Sequence, residues 1–386
     1  MTALLPAAPT GTKRWFMIAL FLGSLGLSAR AQDYNAWQDY SINPIYDPGS
    51  RAGYPTVLMD TGGFGVPGGP NYTMWYGTGG SGLYVTTSAD GLSWVTPPTL
   101  ATGLYSPDHA KVLYDPQAFG VIGGPRYKIW YWDATQTTLY SIQAIRYAES
   151  PNGVAWVDDQ TLTQDATHPL ITGAGSGWNR GSYGPVFLFY QPGAANSGTN
   201  PWAYKYVMYF DGTTGGQESI GLGYSADGKY WVAASPNPAL DHSSSSADWD
   251  SNFATFGTVL RDAAGFHLWY SGGQNGTNEG IGYATSPDGV VWTKSPANPI
   301  YHVSPAAPAY RMGGVYTPDV IRAGDGLLRM YYSGSPSGGS ELRICLAANA
   351  SVPVTNIPAA GTAGWLALVA LLAVLGAWFV AHRRAL

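Results

Sequence analysis

The sequence predicts an all-β fold assembled from a repeated four-stranded unit, and three observations support that prediction. A turn of the form Ser-x-Asp/Asn-Gly-x-x-Trp occurs at Ser88, Ser150, Ser225 and Ser286. An alternating apolar strand precedes each copy, which is the pattern of a β-hairpin. The composition agrees, since 51 glycines, 27 tyrosines and 15 tryptophans suit many short strands joined by tight turns.

Two further strand-like runs precede each hairpin, so each unit contains four strands. The second strands are rich in aromatic residues and cover Tyr72–Gly77, Tyr127–Trp132, Tyr206–Phe210, Phe266–Ser271 and Leu328–Ser333. Four-stranded units that repeat roughly every 60 to 75 residues are typical of the blades of a β-propeller. The turns themselves receive a structural interpretation, in which Asp or Asn caps the turn, Gly takes a positive φ and Trp covers the blade interface.

The last unit lacks its fourth strand, and the missing strand is predicted at the other end of the chain. The segment from Ala36 to Tyr46 matches Val291 to Tyr301 in order and residue type, including Trp37 and an Asn-Pro-Ile triplet. We therefore predict a five-bladed β-propeller over residues 32–349, with the strand around Trp37 completing the last blade. This closure would leave no open edge between the first and last blades.

The two ends of the chain are predicted to lie outside the propeller. Residues 1–31 have a basic start, an apolar run and an Ala-Arg-Ala cleavage site, as in a secretory signal peptide. Residues 350–363 form a small, Pro-containing linker. Residues 364–386 carry an apolar run long enough to span a membrane as a helix, followed by a basic tail.

Charge and cysteine content limit the function classes. The predicted propeller has a net charge of about −10, which argues against nucleic acid as a partner. Cys345 is the only cysteine, so no internal disulfide is predicted. No metal-ligand motif or phosphate-binding loop is present, and no cofactor is predicted; a Ca²⁺ ion on the axis is left open.

Candidate site residues are those predicted to reach one end of the central axis. The acidic candidates for catalysis precede the first strand or begin the third strand of a unit: Asp108, Asp250, Asp319, Glu218 and Glu279. Candidates for substrate binding are predicted at the same mouth: Tyr54, His109, Trp178, Arg180, Tyr183 and Tyr316. Aromatic side chains at such a mouth can stack on sugars in an enzyme or in a lectin.

The blade pattern resembles the five-bladed, furanosidase-like glycosidases of glycoside hydrolase families 43, 32, 68 and 130. The resemblance implies paired axial carboxylates that hydrolyse glycosidic bonds. Thr317-Pro318-Asp319-Val320 resembles the family's Ala-Pro-Asp-Val motif, whose Asp orients the acid. The family's Glu-Gly-Pro reads Tyr183-Gly184-Pro185 here, and its Asp-Pro reads Tyr54-Pro55, so two of the three motif carboxylates are absent.

The C-terminal tail resembles the IPTL/PEP-CTERM class of bacterial sorting signals, with Ile357-Pro358, an apolar helix and a basic end. That resemblance implies an exported protein held at the bacterial membrane or cell surface, with a sorting transpeptidase as a further partner. Two functions remain open at this point. One is glycoside hydrolysis by axial carboxylates, and the other is non-catalytic or adhesive binding of a carbohydrate or matrix polymer.

Overall fold

A computed structural model describes residues 32–80, 82–135, 145–159, 163–170, 177–274, 280–303, 307–336 and 341–349. The predicted signal peptide, linker and membrane helix lie outside these residues. Within the described part of the chain, no helix has both the length and the hydropathy needed to cross a membrane.

The first three antiparallel units follow one another along the chain. Unit 1 contains β2 (Gly53–Met59), β3 (Tyr72–Gly77), β4 (Leu83–Ser88) and β5 (Thr99–Leu100). Unit 2 contains β6 (Pro107–Tyr114), β7 (Tyr127–Asp133), β8 (Ile145–Ser150) and β9 (Val157–Asp159). Unit 3 contains β11 (Pro185–Tyr190), β12 (Tyr206–Thr214), β13 (Gln217–Ser225) and β14 (Tyr230–Ala233), and β10 (Thr163–Gln164) pairs in parallel with β14.

The last two units complete the all-β fold. Unit 4 contains β15 (Phe253–Asp262), β16 (Gly265–Gly273), β17 (Gly280–Ser286), β18 (Thr293–Lys294) and β19 (Tyr301–His302). Unit 5 contains β20 (Gly314–Arg322), β21 (Leu328–Ser335), β22 (Arg343–Asn349) and, as its outer strand, β1 (Trp37–Asp39). Short 3-10 turns lie at Gly63–Gly65, Ala118–Gly120, Pro201–Ala203 and Ala309–Arg311.

The N-terminal strand pairs where the sequence match predicted it. Trp37 lies opposite Asn349 in the antiparallel ladder between β1 and β22. Asn43 then exchanges two hydrogen bonds with the backbone of Leu346, at 2.7 and 2.8 Å. Asn298 makes the same pair of bonds to Tyr283 in unit 4, so the repeated Asn-Pro segment continues the sheet through its side-chain amide.

The first strands of the five units form the innermost layer. Each first strand contacts the first strand of the next unit, in the order β2, β6, β11, β15 and β20, and β20 contacts β2. Hydrophobic side chains fill the spaces between neighbouring units, for example Trp75 and Ile129 between units 1 and 2. The cores therefore lie between the sheets, as expected for a propeller-like arrangement.

The four repeated turns join neighbouring units. The glycines of the turns have positive φ, and each turn's Asp or Asn side chain accepts backbone N–H bonds. The glycine carbonyl oxygen accepts a hydrogen bond from an aromatic side chain on the second strand of a neighbouring unit. These pairs are Tyr331 with Gly91, Trp75 with Gly153, Trp130 with Gly228 and Tyr209 with Gly289. The structural interpretation of the turns is confirmed.

Candidate functional site

Each first strand has a residue with positive φ near its start, at the end of the axis that we call the mouth. Tyr54, His109, Phe256 and Thr317 have φ values of 56°, 43°, 36° and 53°, and Gly184 takes the equivalent position in unit 3 with φ 116°. In units 1, 2, 4 and 5 the ladder to the second strand changes register at this position, as in a β-bulge, and in unit 3 it does so between Pro185 and Phe187. Positive φ is strained for residues other than glycine, and such strain is characteristic of functional positions.

These bulges bring half-buried rings together at one end of the axis. The Tyr54 and His109 ring centroids are 3.9 Å apart, and Phe256 lies 4.7 Å from His109. Trp132 stacks on His109 at 5.2 Å and meets Tyr183 at 5.6 Å. We call these five residues the mouth cluster. Each of them keeps part of its surface accessible, so together they present a broad, largely apolar platform.

Hydrogen bonds hold the rings of the mouth cluster in place. Arg51 donates to the Tyr54 hydroxyl at 2.9 Å, and the Tyr54 N–H donates to Ser333 Oγ at 2.9 Å. His109 Nδ1 lies 3.3 Å from the Tyr183 carbonyl oxygen, so Nδ1 carries the proton of the neutral ring. Burial lowers the pKa of His109, with Asp108 partly opposing it, and the imidazole is therefore neutral at pH 7.

Two tyrosines at the mouth remain protonated over the physiological range. Burial, and then the Asp108 carboxylate, raise the pKa of Tyr54 to about 12. Tyr316 is buried behind Tyr54, at a centroid distance of 6.0 Å, and burial raises its pKa as well. Both hydroxyls are therefore neutral hydrogen-bonding groups and not bases.

The depression between these rings is shallow. It has a volume of about 20 Å³, roughly the space of a single water molecule. The lining residues are Tyr54, Pro55, His109, Ala110, Lys111, Pro185, Phe256, Gly257 and Thr317. No carboxylate is among the described residues that line it.

Asp319 lies on the axis, below the mouth, and its carboxylate is fully engaged. Oδ1 accepts from Lys111 Nζ at 3.0 Å and from the Thr258 hydroxyl at 2.9 Å. Oδ2 accepts from the Val57 N–H at 2.7 Å. Its partners come from the first strands of units 1, 2 and 4, so this side chain joins four of the five inner strands. The arrangement suits structural cross-linking of the axis.

The other two aspartates among the candidates have separate environments. Asp108 is buried beside Gly77, where a side chain would come within 1.9 Å of Asp108 Oδ1, and it accepts from the His109 N–H at 3.2 Å. Asp250 accepts from Lys294 at 2.6 Å and from the Tyr270 hydroxyl at 3.0 Å. Lys294 belongs to the outer strand of unit 4, so Asp250 is held against the sheet of that unit.

Glu218 has a carboxylate neighbour, Asp211, which the sequence placed in the loop between the second and third strands and not among the catalytic candidates. Asp211 and Glu218 are diagonal neighbours on β12 and β13, because Asp211 lies opposite Ile220 and Thr213 opposite Glu218. The sequence predicted that β12 ends at Phe210, whereas it continues to Thr214 and places both carboxylates within paired strands. The Thr255 hydroxyl of unit 4 donates to Asp211.

Burial raises the pKa values of both carboxylates of this pair. Burial raises the pKa of Asp211 to about 6, although hydrogen bonds from Thr255 and Glu218 oppose the shift. Burial, and then the neighbouring Asp211 carboxylate, raise the pKa of Glu218 well above its ordinary value. Two adjacent buried carboxylates cannot both ionise at low energetic cost, so one of them keeps its proton near neutral pH.

The remaining candidates are Trp178, Arg180 and Glu279. Trp178 packs flat against Gly212 and Gly221 on the sheet of unit 3. Arg180 is half-buried just before β11. Glu279 lies outside the described residues. Trp132 and Phe256 were missed in the sequence because nothing in the residue type signals the bulge or the ring stacking that places them at the mouth.

Comparison with solved structures identifies the fold. The chain is similar to a glycoside hydrolase, with a TM-score of 0.56 and 15% identity over 83% of this chain and 92% of that chain. It is similar to a thermostable family-43 glycoside hydrolase, with a TM-score of 0.52 and 16% identity over 77% and 89% of the two chains. It is also similar to a structure from glycoside hydrolase family 130, described as targeting β-1,2 mannosidic linkages in Candida mannan, with a TM-score of 0.53, 16% identity and coverage of 82% and 95%.

The fold is therefore that of the furanosidase-like glycoside hydrolase propellers, as the blade pattern indicated. No protein-family model matches the sequence, and no curated protein sequence matches it. The likeness establishes the architecture, and the function has to be argued from the residues at the mouth.

Proposed function

We propose that this chain is a five-bladed propeller that binds extracellular carbohydrate at its axial mouth without cleaving it. The observation that carries the proposal is the mouth cluster, a platform of half-buried rings around a depression lined by no described carboxylate. Hydrolysis needs two carboxylates flanking the bond. Here the two motif positions on the axis are Tyr54 and Tyr183, and Asp319 is already neutralised by Lys111.

The chemistry of the platform suits a sugar ligand. The apolar face of a pyranose or furanose ring can stack on an aromatic ring, while hydroxyl and imidazole groups supply hydrogen bonds to its edges. Tyr54 and His109 provide such neutral polar groups within the mouth cluster. The depression is too shallow to enclose a sugar, so we infer that the ligand is a polymer or a terminal residue lying across the surface.

The cellular setting belongs to the same proposal and rests on the sequence. We propose that residues 1–31 direct export and that the apolar run at 364–381 anchors the propeller in the envelope, where it faces extracellular or matrix polysaccharide. A sorting transpeptidase would be the partner of the Ile357-Pro358 region. Fractionation of cells that express the full chain tests this part, since recovery in the cytosol would contradict it.

The test of binding uses the full chain on a glycan array, together with a panel of chromogenic glycosides. We expect saturable binding to a defined glycan class without release of chromophore. Trp132→Ala should weaken binding roughly three- to tenfold, through the loss of one stacking surface. Tyr230→Ala removes an exposed ring from the outer strand β14 and should leave binding unchanged.

Glycoside hydrolysis is the second candidate, and a specific observation favours it. Asp211 and Glu218 have raised pKa values, as an acid that must stay protonated at neutral pH requires. Hydrolysis of a glycoside by the unmodified chain would favour catalysis over binding as the function, provided that Glu218→Gln abolishes the hydrolysis and Asp250→Asn retains it. Binding to no glycan, together with no turnover, would reject both candidates.

A further inference from the structure

The axis contains a second, larger space below the mouth, and we call it the axial cavity. Its volume is about 220 Å³. Its walls come from the first strands of all five units: Thr56, Val57, Leu58, Met59, Lys111, Val112, Leu113, Phe187, Leu188, Leu260, Asp319, Val320, Ile321 and Arg322. On β2 the lining runs from Thr56 to Met59, which is about 10 Å at roughly 3.3 Å per residue.

The wall of the axial cavity is aliphatic in every unit. Each first strand contributes one aliphatic residue, four positions after its positive-φ residue. In units 1 to 5 these are Leu58, Leu113, Leu188, Leu260 and Ile321. Four of these five side chains are only half-buried, and Leu188 is buried. Accessible aliphatic surface facing an open space is unfavourable in water, and covering it with an apolar ligand would be favourable.

The two ends of the axial cavity differ chemically. The inner end is closed by Lys111 and Asp319, which bind each other, and the Asp319 oxygens have further partners on Thr258 and Val57. The rim carries Arg322, which is exposed, gives one N–H to the Gly326 carbonyl oxygen at 3.0 Å and also interacts with the Tyr34 hydroxyl, which donates to Asp262. A ligand would therefore meet aliphatic walls inside and a cation at the opening.

We propose that the axial cavity binds a short, unbranched alkyl carboxylate, with its chain between the five aliphatic residues and its carboxylate beside Arg322. The lining of this shaft supports this class, since each unit contributes an aliphatic side chain along about 10 Å of the axis, and that surface matches an extended alkyl chain. The site is separate from the mouth cluster, and neither proposal depends on the other.

A chain-length series on the unmodified full chain gives the first test. Butyrate, hexanoate and octanoate are titrated by calorimetry. Affinity should rise roughly fourfold for each added CH₂. It should stop rising once the chain is longer than the shaft. Non-specific binding to the apolar run at 364–381 would instead give an affinity that keeps rising with chain length, without one-to-one saturation. That result, or the absence of octanoate binding, would overturn the proposal.

Cavity-filling variants give the second test. Leu113→Trp and Ile321→Trp place an indole in the shaft and should weaken octanoate binding by roughly tenfold or more. Val157→Trp adds the same group at an exposed position on the outer strand β9 and should not. Arg322→Gln should weaken octanoate about two- to fivefold and should not weaken octylamine, whose ammonium group the guanidinium repels. Unchanged octanoate binding in both folded filling variants would reject the axial cavity as the site.

Discussion

The Trp269 indole N–H donates to the Tyr34 carbonyl oxygen at 3.2 Å. Trp269 occupies on β16 the position that Trp75 occupies on β3, and Trp75 donates to the carbonyl oxygen of the turn glycine Gly153 at 2.8 Å. In unit 5, no such turn follows β22 within the described residues. The N-terminal segment before β1 supplies the missing acceptor, so it replaces both the fourth strand and the turn of that unit.

The first prediction concerns this replacement. Trp269→Phe should lower the free energy of unfolding by about 1 kcal/mol, because the Tyr34 carbonyl oxygen loses one of its two indole donors and keeps the other, Trp37. Trp75→Phe should cost a similar amount, because it removes the equivalent bond between units 1 and 2. Urea denaturation of the two variants measures the difference. A negligible effect of Trp269→Phe beside a clear effect of Trp75→Phe would show that the N-terminal segment does not act as the missing turn.

The second prediction concerns the strained backbone at the mouth. Phe256 has a φ of 36°, and this conformation is less costly for glycine than for alanine. Phe256→Gly should therefore be more stable than Phe256→Ala by about 1 kcal/mol, while both lose the ring and bind the mouth ligand more weakly.

Phe187 provides the matched control for this comparison. It is a half-buried phenylalanine on β11 without a positive φ. There the order should reverse, since glycine in a strand is less stable than alanine. Thermal denaturation of the four variants measures the comparison, and an alanine variant more stable than glycine at position 256 would contradict it.

The third prediction concerns pH and the pair of Asp211 and Glu218. Both have a folded pKa raised above the unfolded value, so the folded protein binds more protons than the unfolded chain above about pH 4. These two groups should therefore make stability fall by a few kcal/mol as the pH rises from about 4 to 7. Glu218→Gln should reduce that fall, and melting temperatures from pH 4 to 8 measure it.

Glu149 gives a control of opposite sign. Burial raises its pKa, but hydrogen bonds from Lys128 and Tyr147 lower it by more, so the net pKa lies below the ordinary value. Glu149→Gln should remove stability that is present above about pH 4.5 and leave the fall with rising pH unchanged. An unaltered pH profile in Glu218→Gln would show that the two carboxylates do not share a proton.

The fourth prediction concerns the ion pair on the axis. The Lys111 and Asp319 side chains are 14% and 5% exposed, so an unpaired partner would remain largely buried. Asp319→Ala should lower the free energy of unfolding by about 3–5 kcal/mol. The double variant Lys111→Met with Asp319→Leu should recover part of that loss, because it leaves no buried charge while the Val57 N–H still lacks its acceptor. Chemical denaturation of both variants measures this, and a double variant less stable than Asp319→Ala would contradict it.

Much of the architecture could be predicted because it is repeated. The turn that begins at Ser286 recurs in three other units. The segment from Val291 to Tyr301 matches the segment around Trp37, and this match predicts the position of β1. Repetition converts a weak local pattern into a strong one, since the same contacts must form between each pair of neighbouring units.

The site was less predictable because it depends on contacts between units. The sequence predicted that Asp319 lies near the axis. It did not predict that Lys111 of unit 2 forms an ion pair with the Asp319 carboxylate. Asp211 was assigned to a loop because β12 was expected to end at Phe210. Phe256 reaches the mouth through a backbone bulge, and that geometry cannot be read from residue type.

The pairing of β1 with β22 also sets the order in which the chain can fold. β1 is the first described strand to be synthesised, and its partner β22 (Arg343–Asn349) is the last. β1 therefore stays unpaired until nearly the whole propeller has been synthesised. Units 1 to 4 have all their strands within consecutive sequence and can form as they emerge. A chain interrupted before Arg343 would therefore keep four complete sheets and leave its earliest strand without a partner.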